Sequence, residues 1–231
     1  MTEKMRRARK AMKEALLSII KDKNRIITGQ IDPQYLSDNL GRKKGTAEAV
    51  VFPVSTEEVS GIMRYAWENN LPVTPRGAGT NLVGSTVPSG HGIVLDVSLM
   101  NHVLELDEET FTATVEPGVV LEDFQAYVES KGLFYPPDPG EKKATIGGNI
   151  STNAGGMRAV KYGVTRDYVM GLELVLADGT VVKAGSKNRK DTSGLDLKEI
   201  VIGSEGTLAV ITKCILKLIC LLYTSDAADD R

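Results

Sequence analysis

Residues 75–85 read PRGAGTNLVGS, a loop in which three of eleven residues are glycine. Glycine at this density is typical of phosphate-binding loops, and each class of loop requires its own spacing. A dinucleotide fingerprint would need a glycine where Leu82 stands, and Pro88 would break the long helix that has to follow. The P-loop pattern over residues 79–86 has Ser85 in place of the lysine that contacts the phosphates. The sequence therefore disfavours both classes.

The remaining interpretation of this loop is an anion nest, in which small residues let consecutive backbone N–H groups converge on an anion. Arg76 would add positive charge, and the side chains of Thr80, Asn81 and Ser85 would add hydrogen bonds. A pyrophosphate group would fit such a loop. Taken alone, the segment is equally consistent with a tight turn that binds nothing, so other segments have to decide.

Two further glycine-rich segments follow in the chain. Residues 144–156 read ATIGGNISTNAGG, and residues 202–208 read IGSEGTL. In the first of them the backbone can approach a flat ligand closely, because glycine carries no side chain. The segment lies inside residues 136–167, a stretch rich in Gly, Pro, Asn and Thr that we predict to be one long loop. A loop of that length in a compact domain usually binds something.

The order of the predicted strands and helices indicates two sheets. Ser55 and Glu58 have the spacing of a capping box, which predicts a helix that continues through Asn69. Asp178 and Gly179 predict a two-residue hairpin turn. The elements around that first helix form a βαβ unit that contains the glycine loop, with strands over 47–54, 71–75 and 92–97. The later elements favour antiparallel pairing, with strands over 102–106, 111–116, 169–177, 181–184 and 207–218 and helices over 121–130 and 197–202.

Over about residues 46–219 the sequence closely resembles the FAD-binding domain of the vanillyl-alcohol-oxidase (PCMH-type) flavoproteins, in the branch formed by the D-type component of glycolate oxidase and by D-lactate dehydrogenase. The motifs that carry the resemblance are PRGAGTNLVG, ATIGGNISTNAGG with the KYGVTRD of residues 161–167, and IGSEGTLAVIT, in this order. The resemblance implies an α+β fold with the cofactor between two subdomains. A small βαβ subdomain would cover about 46–105, and a larger subdomain of mixed or antiparallel sheet with flanking helices would cover about 106–219, after an N-terminal helical region over 1–45.

The resemblance also assigns residues to the parts of FAD. The pyrophosphate would be held by Arg76, Gly77, Ala78, Gly79, Thr80, Asn81, Leu82, Gly84 and Ser85. The flavin and ribityl chain would be lined by Pro137, Asp138, Thr145, Gly147, Gly148, Ser151, Asn153, Ala154, Gly155 and Gly156. The adenosine end would lie along Gly163, Glu205, Gly206, Val210 and Ile211, although alternation alone predicts that the last two are buried in a core strand.

Family members with covalently bound flavin carry a histidine in or near these loops. His91 and His102 match no such position, so we expect dissociable FAD. The implied reaction is oxidation of a 2-hydroxy acid such as glycolate or D-lactate, with hydride passing to flavin N5. The electrons would then leave to a separate acceptor, an iron–sulfur subunit or an electron-transfer flavoprotein. In the family, the catalytic base and the cation for the substrate carboxylate come from a C-terminal domain that this sequence lacks, so no catalytic residue is predicted here.

Two alternatives to that activity stay open. One is a non-catalytic FAD-binding fragment, since the substrate domain is missing. The other is a different enzyme of the same fold: UDP-N-acetylenolpyruvoylglucosamine reductase, which would bind NADPH and a nucleotide sugar, or alkylglycerone-phosphate synthase, which would use flavin without net oxidation. The GSEGTL motif and the TNAGG segment favour the hydroxy-acid branch.

Composition excludes several other classes of protein. The chain has 231 residues, 42% hydrophobic and 25% charged, with 28 basic against 30 acidic residues, so we predict a globular protein that binds no nucleic acid. Two cysteines and two histidines provide neither a disulfide scaffold nor a zinc-ligand set, and a reducing, cytoplasmic setting fits. The apolar run at 15–20 is too short to cross a bilayer, and no small-residue cleavage site follows it, so we predict no membrane segment and no export signal. Residues 1–23 have the periodicity of a surface helix.

The last twelve residues, CLLYTSDAADDR at 220–231, depart from the family pattern directly after Leu218. They are similar to the translation of a transposon-end sequencing adapter. We therefore predict a truncated gene product whose native part ends near Ile219. Three aspartates against Arg231 give this tail a net charge of −2, so the remainder of the chain is formally neutral.

Overall fold

A computed structural model describes residues 3–192 and 194–221, with side chains from residue 7 onward. The predicted non-native tail lies outside the described residues from residue 222 onward. Among the described residues, no helix combines the length and the apolarity needed to cross a membrane.

The first sheet contains the predicted βαβ unit. After helix α1 (Glu3–Ile20), the chain forms β1 (Ile26–Thr28), β2 (Ala47–Val51), helix α2 (Thr56–Glu68), β3 (Val73–Arg76) and β4 (Gly92–Asp96). The strand order is β1-β2-β4-β3, in which β2, β4 and β3 run parallel and β1 pairs antiparallel with β2. All five residues of β4 are buried, as expected for a central parallel strand. The C-terminal ends of β3 and β4 therefore meet at one edge of the sheet.

Helix α1 packs on α2 through an apolar stripe. Met12, Leu16 and Ile20 recur every four residues, and all three are buried against the core that contains Val59 and Ile62 of α2. The N-terminal region thus contributes both a helix and the edge strand β1 to this core.

The predicted capping box at α2 is only half formed. The Ser55 hydroxyl accepts a hydrogen bond from the Glu58 N–H at 3.3 Å. The Glu58 carboxylate does not return to Ser55; it accepts from the two terminal nitrogens of Arg25, at 2.5 and 2.7 Å, and from the Val54 N–H. Glu58 is drawn away because a guanidinium offers two charge-assisted bonds where the cap offers one neutral N–H.

The second sheet is antiparallel. Its strands in chain order are β5 (Val103–Asp107), β6 (Thr112–Val115), β8 (Val169–Val175), β9 (Val181–Gly185) and β10 (Val210–Lys217), arranged β5-β6-β10-β8-β9. Helix α3 (Leu121–Glu129) and the short strand β7 (Leu133–Phe134) follow β6. Short helices α4 (Ile146–Thr152), α5 (Ala159–Tyr162) and α6 (Lys198–Val201) come from the connections, and β11 (Ile219–Cys220) pairs with β7. Val175 and Val210 join the core of α2, so this helix lies between the two sheets.

The β8–β9 hairpin forms where it was predicted, but its turn is longer than two residues. Leu176 and Thr180 are the last paired residues, with Leu176 N–H donating to the Thr180 carbonyl at 2.9 Å, so three residues lie between them. Gly179 alone takes positive φ, +86°, and the Asp178 carboxylate accepts from the Thr180 N–H at 2.8 Å. This is the three-residue hairpin in which a turn is followed by a left-handed glycine.

The prediction of one long loop over 136–167 was wrong, because α4 and α5 lie inside it. Ile146 and Ile150, one turn apart, are fully buried, and the hydroxyl of Thr145 caps α4 by accepting from the Gly148 N–H. Asn153 ends the helix in the left-handed conformation, with φ of +47°. Glycine at two of the first helical positions hid this pattern, because glycine is among the poorest helix formers.

The core of the second sheet contains a hydroxyl group with no partner. Tyr135 is fully buried, its ring lies edge-on to Phe124 at 5.2 Å, and its oxygen forms no hydrogen bond within the described part of the chain. We expect Tyr135→Phe to keep the free energy of unfolding or raise it by up to about 1 kcal/mol, because an unpaired buried hydroxyl is costly. Urea denaturation measures this, and Tyr135→Leu should instead lower it by about 2 kcal/mol through lost packing. Destabilisation by Tyr135→Phe would show that the hydroxyl has a partner.

Candidate functional site

A cleft lies between the two sheets and has a cavity volume of about 420 Å³, within the range of small-molecule sites. Three segments meet there: the end of β3 with the loop after it, residues 139–154 around α4, and residues 205–211 before and within β10. The predicted site residues that line the cleft are Arg76, Gly77, Ala78, Gly79, Thr80, Asn81, Ser85, Thr145, Gly147, Gly148, Ser151, Ala154, Glu205, Gly206, Val210 and Ile211. The three glycine-rich motifs thus come together in space.

Eight predicted residues do not line this cavity. They are Leu82, Gly84, Pro137, Asp138, Asn153, Gly155, Gly156 and Gly163. Leu82 is more than half exposed at the tip of its loop. Gly156 packs against the backbone of Asp138, where an added Cβ would lie 1.9 Å from the Asp138 carbonyl oxygen. Gly163 takes positive φ beside the carboxylate of Asp167, so both of these glycines serve local packing.

The cleft also contains residues that the sequence analysis did not single out. They are Pro75, Val83, Thr86, Val97, Pro117, Pro139, Glu141, Ala144, Asn149, Thr152 and Ala209. Asn149, Thr152 and Ala209 lie within the quoted motifs, so the motifs themselves carried the signal. Val97 and Pro117 come from outside every motif, and only the fold brings them to the cavity.

Two of the glycine-rich loops meet at Gly77. An added Cβ on this residue would lie 2.2 Å from the hydroxyl oxygen of Thr145, the residue that caps α4. Thr145 is itself buried. Any side chain at position 77 would therefore push the loop after β3 away from α4 and open the cleft.

The loop after β3 presents a row of free N–H groups. In the described part of the chain, no atom accepts a hydrogen bond from the backbone N–H of residues 77–80. The next residue, Asn81, accepts with its side-chain oxygen from the N–H groups of Val83, Gly84 and Ser85, at 2.9, 2.9 and 3.2 Å. The Asn81 oxygen therefore shapes the loop, and the N–H groups of residues 77–80 are available to an anion.

Arg76 and Asp96 end the adjacent parallel strands β3 and β4 and pair in register. Arg76 is only 8% exposed; its Nη2 donates to the Gln34 carbonyl oxygen at 2.8 Å, and its guanidinium lies 5.8 Å from the Tyr35 ring centre. Burial lowers the pKa of the Arg76 guanidinium and raises the pKa of the Asp96 carboxyl, each opposed by the charge of the other. A guanidinium keeps its charge despite such a shift, so Arg76 provides a positive charge at the start of the loop.

Three cleft residues carry buried polar atoms that have no hydrogen-bond partner in the described part of the chain: Arg76 through Nη1, Thr86 through its hydroxyl, and Asn149 through its side-chain nitrogen. Leaving such atoms unpaired costs about 1–3 kcal/mol each. A ligand with several acceptor oxygens would satisfy them. Together with the free N–H groups and the small residues around α4, they fit an elongated, anionic ligand with a flat end.

Asp138 does not line the cavity, and its carboxylate pairs with the cationic side chains of Arg158 and Lys142. Its Oδ2 lies 3.2 Å from Arg158 Nε, and its Oδ1 pairs with Lys142, whose Nζ also donates to Gln125. Burial lowers the pKa of Lys142, and the charge of Arg158 adds to that effect. The chain next to this cluster, at Pro139 and Glu141, does line the cleft.

Among the described residues, no group of His, Cys, Asp and Glu could hold a metal ion.

Several known proteins are similar to this chain in sequence or in fold. Residues 47–185 match the family described as "FAD binding domain". The chain is 51% identical over 186 residues to glycolate oxidase subunit GlcD of Bacillus subtilis, covering 80% of this chain and 40% of that protein. It is 47% identical over 197 residues to D-lactate dehydrogenase of Anaerostipes hadrus, covering 84% of this chain and 42% of that protein. The chain thus spans about two fifths of the length of the curated relatives it matches.

Among solved structures, alkyldihydroxyacetonephosphate synthase superposes on this chain with a TM-score of 0.75. The sequence identity is 25%, and the match covers 85% of this chain and 38% of that one. The predicted α+β fold with two sheets around a cleft is thereby confirmed. The identity to the hydroxy-acid relatives is about twice as high.

Proposed function

Because the chain belongs to the family of FAD-binding domains, we propose that it is the cofactor-binding part of a flavoprotein that oxidises a 2-hydroxy acid such as glycolate or D-lactate. The names of its relatives support this reading, since a glycolate oxidase component and a D-lactate dehydrogenase share about half of its residues over most of its length. The observation that carries the proposal is that residues 77–80 line the cleft and that their N–H groups have no acceptor among the described residues.

The cleft residues divide into parts that suit the parts of FAD. The N–H groups of residues 77–80 and Nη1 of Arg76 would bind the pyrophosphate, because none of these donors has an acceptor among the described residues. The small residues of α4 would let the flavin and ribityl chain approach the backbone, and Asn149 would donate from its free amide nitrogen. The adenosine end would lie toward Glu205 and β10. Bound FAD would supply the hydride acceptor, and the protein would supply position and electrostatics.

The residues of this chain would bind and orient the cofactor, and they would not supply the catalytic groups. Among the residues that line the cleft, the ionisable side chains are Arg76, Glu141 and Glu205. The resemblance assigns Arg76 and Glu205 to FAD, and it takes the group that accepts the hydroxyl proton and the cation that holds the substrate carboxylate from a C-terminal domain. We propose that those groups belong to the part of the protein that the longer relatives have in addition. The electron acceptor would be a separate iron–sulfur subunit or electron-transfer flavoprotein, and the cytoplasm would be the setting.

The FAD is proposed to be dissociable. Neither histidine of the chain lines the cleft: the His91 side chain is 71% exposed and pairs with Glu48, and the His102 side chain is 73% exposed and pairs with Glu116. These positions support dissociable FAD, because a histidine is the residue that links flavin covalently in the family members of that kind. The domain would run over 46–219, with its subdomains meeting near residue 105.

A second candidate function is a binding module without activity of its own. The cleft favours it in one respect, because no histidine is among its lining residues. Reduction of a dye acceptor by the isolated chain in the presence of D-lactate or glycolate would exclude this second candidate. The absence of turnover with FAD bound would support it.

We expect the purified 231-residue chain to show the absorption bands of an oxidised flavin, and acid precipitation to release them into the supernatant. The physical reason is that non-covalent contacts alone would hold the cofactor, and they are lost when the fold is lost. Bands retained in the pellet would contradict dissociable FAD. A protein that stays colourless after incubation with FAD would contradict the proposed function.

A further inference from the structure

We propose that residues 32–45, called here the bracing segment, hold the loop of residues 77–85 in its binding conformation from outside the cofactor site. The bracing segment precedes residues 47–185, which match the family. The inference rests on the proposed function, because the free N–H groups of the loop are those assigned to the pyrophosphate. None of the bracing residues lines the cavity, so their role is to position the loop.

The bracing segment contacts the loop first through Arg76, the residue directly before Gly77. Arg76 Nη2 donates to the carbonyl oxygen of Gln34 at 2.8 Å, and the ring of Tyr35 lies 5.8 Å from the guanidinium carbon. The guanidinium also touches Gly79, where an added Cβ would lie 2.0 Å from the same Nη2. The bracing segment and the backbone of the loop therefore both contact this guanidinium. Arg76 is the residue through which the segment acts.

The far end of the loop is the second point of support. The N–H of Asn39 donates to the carbonyl of Asn81 at 3.1 Å. Nζ of Lys43 donates to the carbonyl of Val83 at 3.0 Å, and the alkyl chain of this lysine packs on Gly84. The loop is thus bonded to the bracing segment on both sides of the four free N–H groups.

The bracing segment is itself anchored to the first sheet. Leu36 packs against the core formed by Val50 and Val94, and its carbonyl accepts from the Gly45 N–H at 2.7 Å. Asp38 is buried, and its carboxylate accepts from the N–H groups of Arg42 and Lys43. The loop therefore rests on a support that is fixed by the core. Donors bind an anion well only when such a support holds them in converging positions.

The test uses two variants of the full chain, each with a matched control. Tyr35→Leu removes the ring face from Arg76, and Tyr35→Phe keeps it. Lys43→Met removes the donor to Val83, and Lys44→Met makes the same charge change at the neighbouring exposed position. We expect the FAD dissociation constant, from flavin fluorescence, to rise about tenfold for Tyr35→Leu and about threefold for Lys43→Met. Both controls should match the wild type.

Hydrogen exchange of the chain without FAD provides the second readout. In both test variants the amides of residues 83–85 should exchange about tenfold faster, because the loop is released, while the amides of β8 keep their wild-type rates. Unchanged exchange at 83–85 would overturn the proposal, and so would a loss of protection in β8, which would indicate general destabilisation. A wild-type chain that binds no FAD would instead overturn the proposed function, and the exchange rates would still decide whether the segment braces the loop.

Discussion

Gly79→Ala is expected to weaken FAD binding by about a hundredfold, the largest effect on the cofactor that we predict from a single methyl group. Gly79 has φ of +72°, a conformation that costs a residue with a side chain about 1–2 kcal/mol. The added Cβ would also lie 2.0 Å from Nη2 and 2.4 Å from Cζ of Arg76. This guanidinium is buried and bonded to Gln34, so it cannot move aside cheaply. The loop has to move instead, and the N–H groups of residues 77–80 then stop converging.

A matched control separates the backbone cost from the loss of the site. Gly90 has nearly the same φ, +67°, and an added Cβ would have no atom within 4 Å. Gly90→Ala should therefore lower the free energy of unfolding by about 1 kcal/mol and leave the FAD dissociation constant at the wild-type value. Titration of flavin fluorescence measures both variants. If the two weakened FAD binding equally, the collision with Arg76 would not be the cause.

The sequence was sufficient for features that depend on local patterns. Helix α2 formed where Ser55 precedes an acidic first turn, and the β8–β9 hairpin formed around Asp178 and Gly179. The three motifs also identified most of the cleft, because a backbone that must approach a ligand closely needs glycine and small polar residues wherever it does so. Helix α4 was missed because Gly147 and Gly148 occupy its second and third positions, and glycine lowers helix propensity.

The features that could not be read from the sequence depend on contacts between distant segments. Pro117 reaches the cleft because its backbone packs on Gly147, where an added Cβ would lie 2.6 Å from the proline ring. Glu58 left its predicted cap because Arg25, 33 residues earlier, came within reach. Tyr35 belongs to none of the motifs, and its proposed role in holding the loop depends on the position of Arg76. Patterns with a fixed period say nothing about such pairs.

Glu173→Ala is expected to lower the free energy of unfolding by about 3 kcal/mol at neutral pH. Glu173 is buried on β8, and its Oε1 accepts from the hydroxyl of Thr56 at 2.7 Å, where α2 begins. The same oxygen lies 3.2 Å from the Thr212 hydroxyl and 2.9 Å from Nζ of Lys213, both on β10. One carboxylate thus connects the helix between the sheets with two strands of the second sheet. Its removal would leave the buried Thr56 hydroxyl without its acceptor, whereas the Thr212 hydroxyl would keep the Glu173 backbone carbonyl at 3.3 Å.

Guanidinium denaturation at pH 7 measures this loss, and Glu105→Ala serves as the control. Glu105 also pairs with a lysine, Lys187, but both side chains are more than two fifths exposed. An exposed ion pair contributes about 0–1 kcal/mol, so the control should change the free energy of unfolding by less than about 1 kcal/mol. Equal losses in the two variants would show that burial and the threonine contacts do not matter.

The pH dependence of Glu173→Gln tests the charge separately from the shape. Burial alone would raise the pKa of the Glu173 carboxyl, but the hydrogen bonds from Thr56 and Lys213 and the lysine charge outweigh it, so this pKa is lowered. A lowered pKa stabilises the fold above the unfolded-state value of about 4.3, and that stabilisation disappears as the pH falls through the folded-state value. The wild type should therefore be more stable than Glu173→Gln at pH 7, and the two should converge below about pH 4. A difference that stays constant from pH 7 to pH 3 would mean that the amide fails for steric reasons and that the ionised carboxylate contributes nothing.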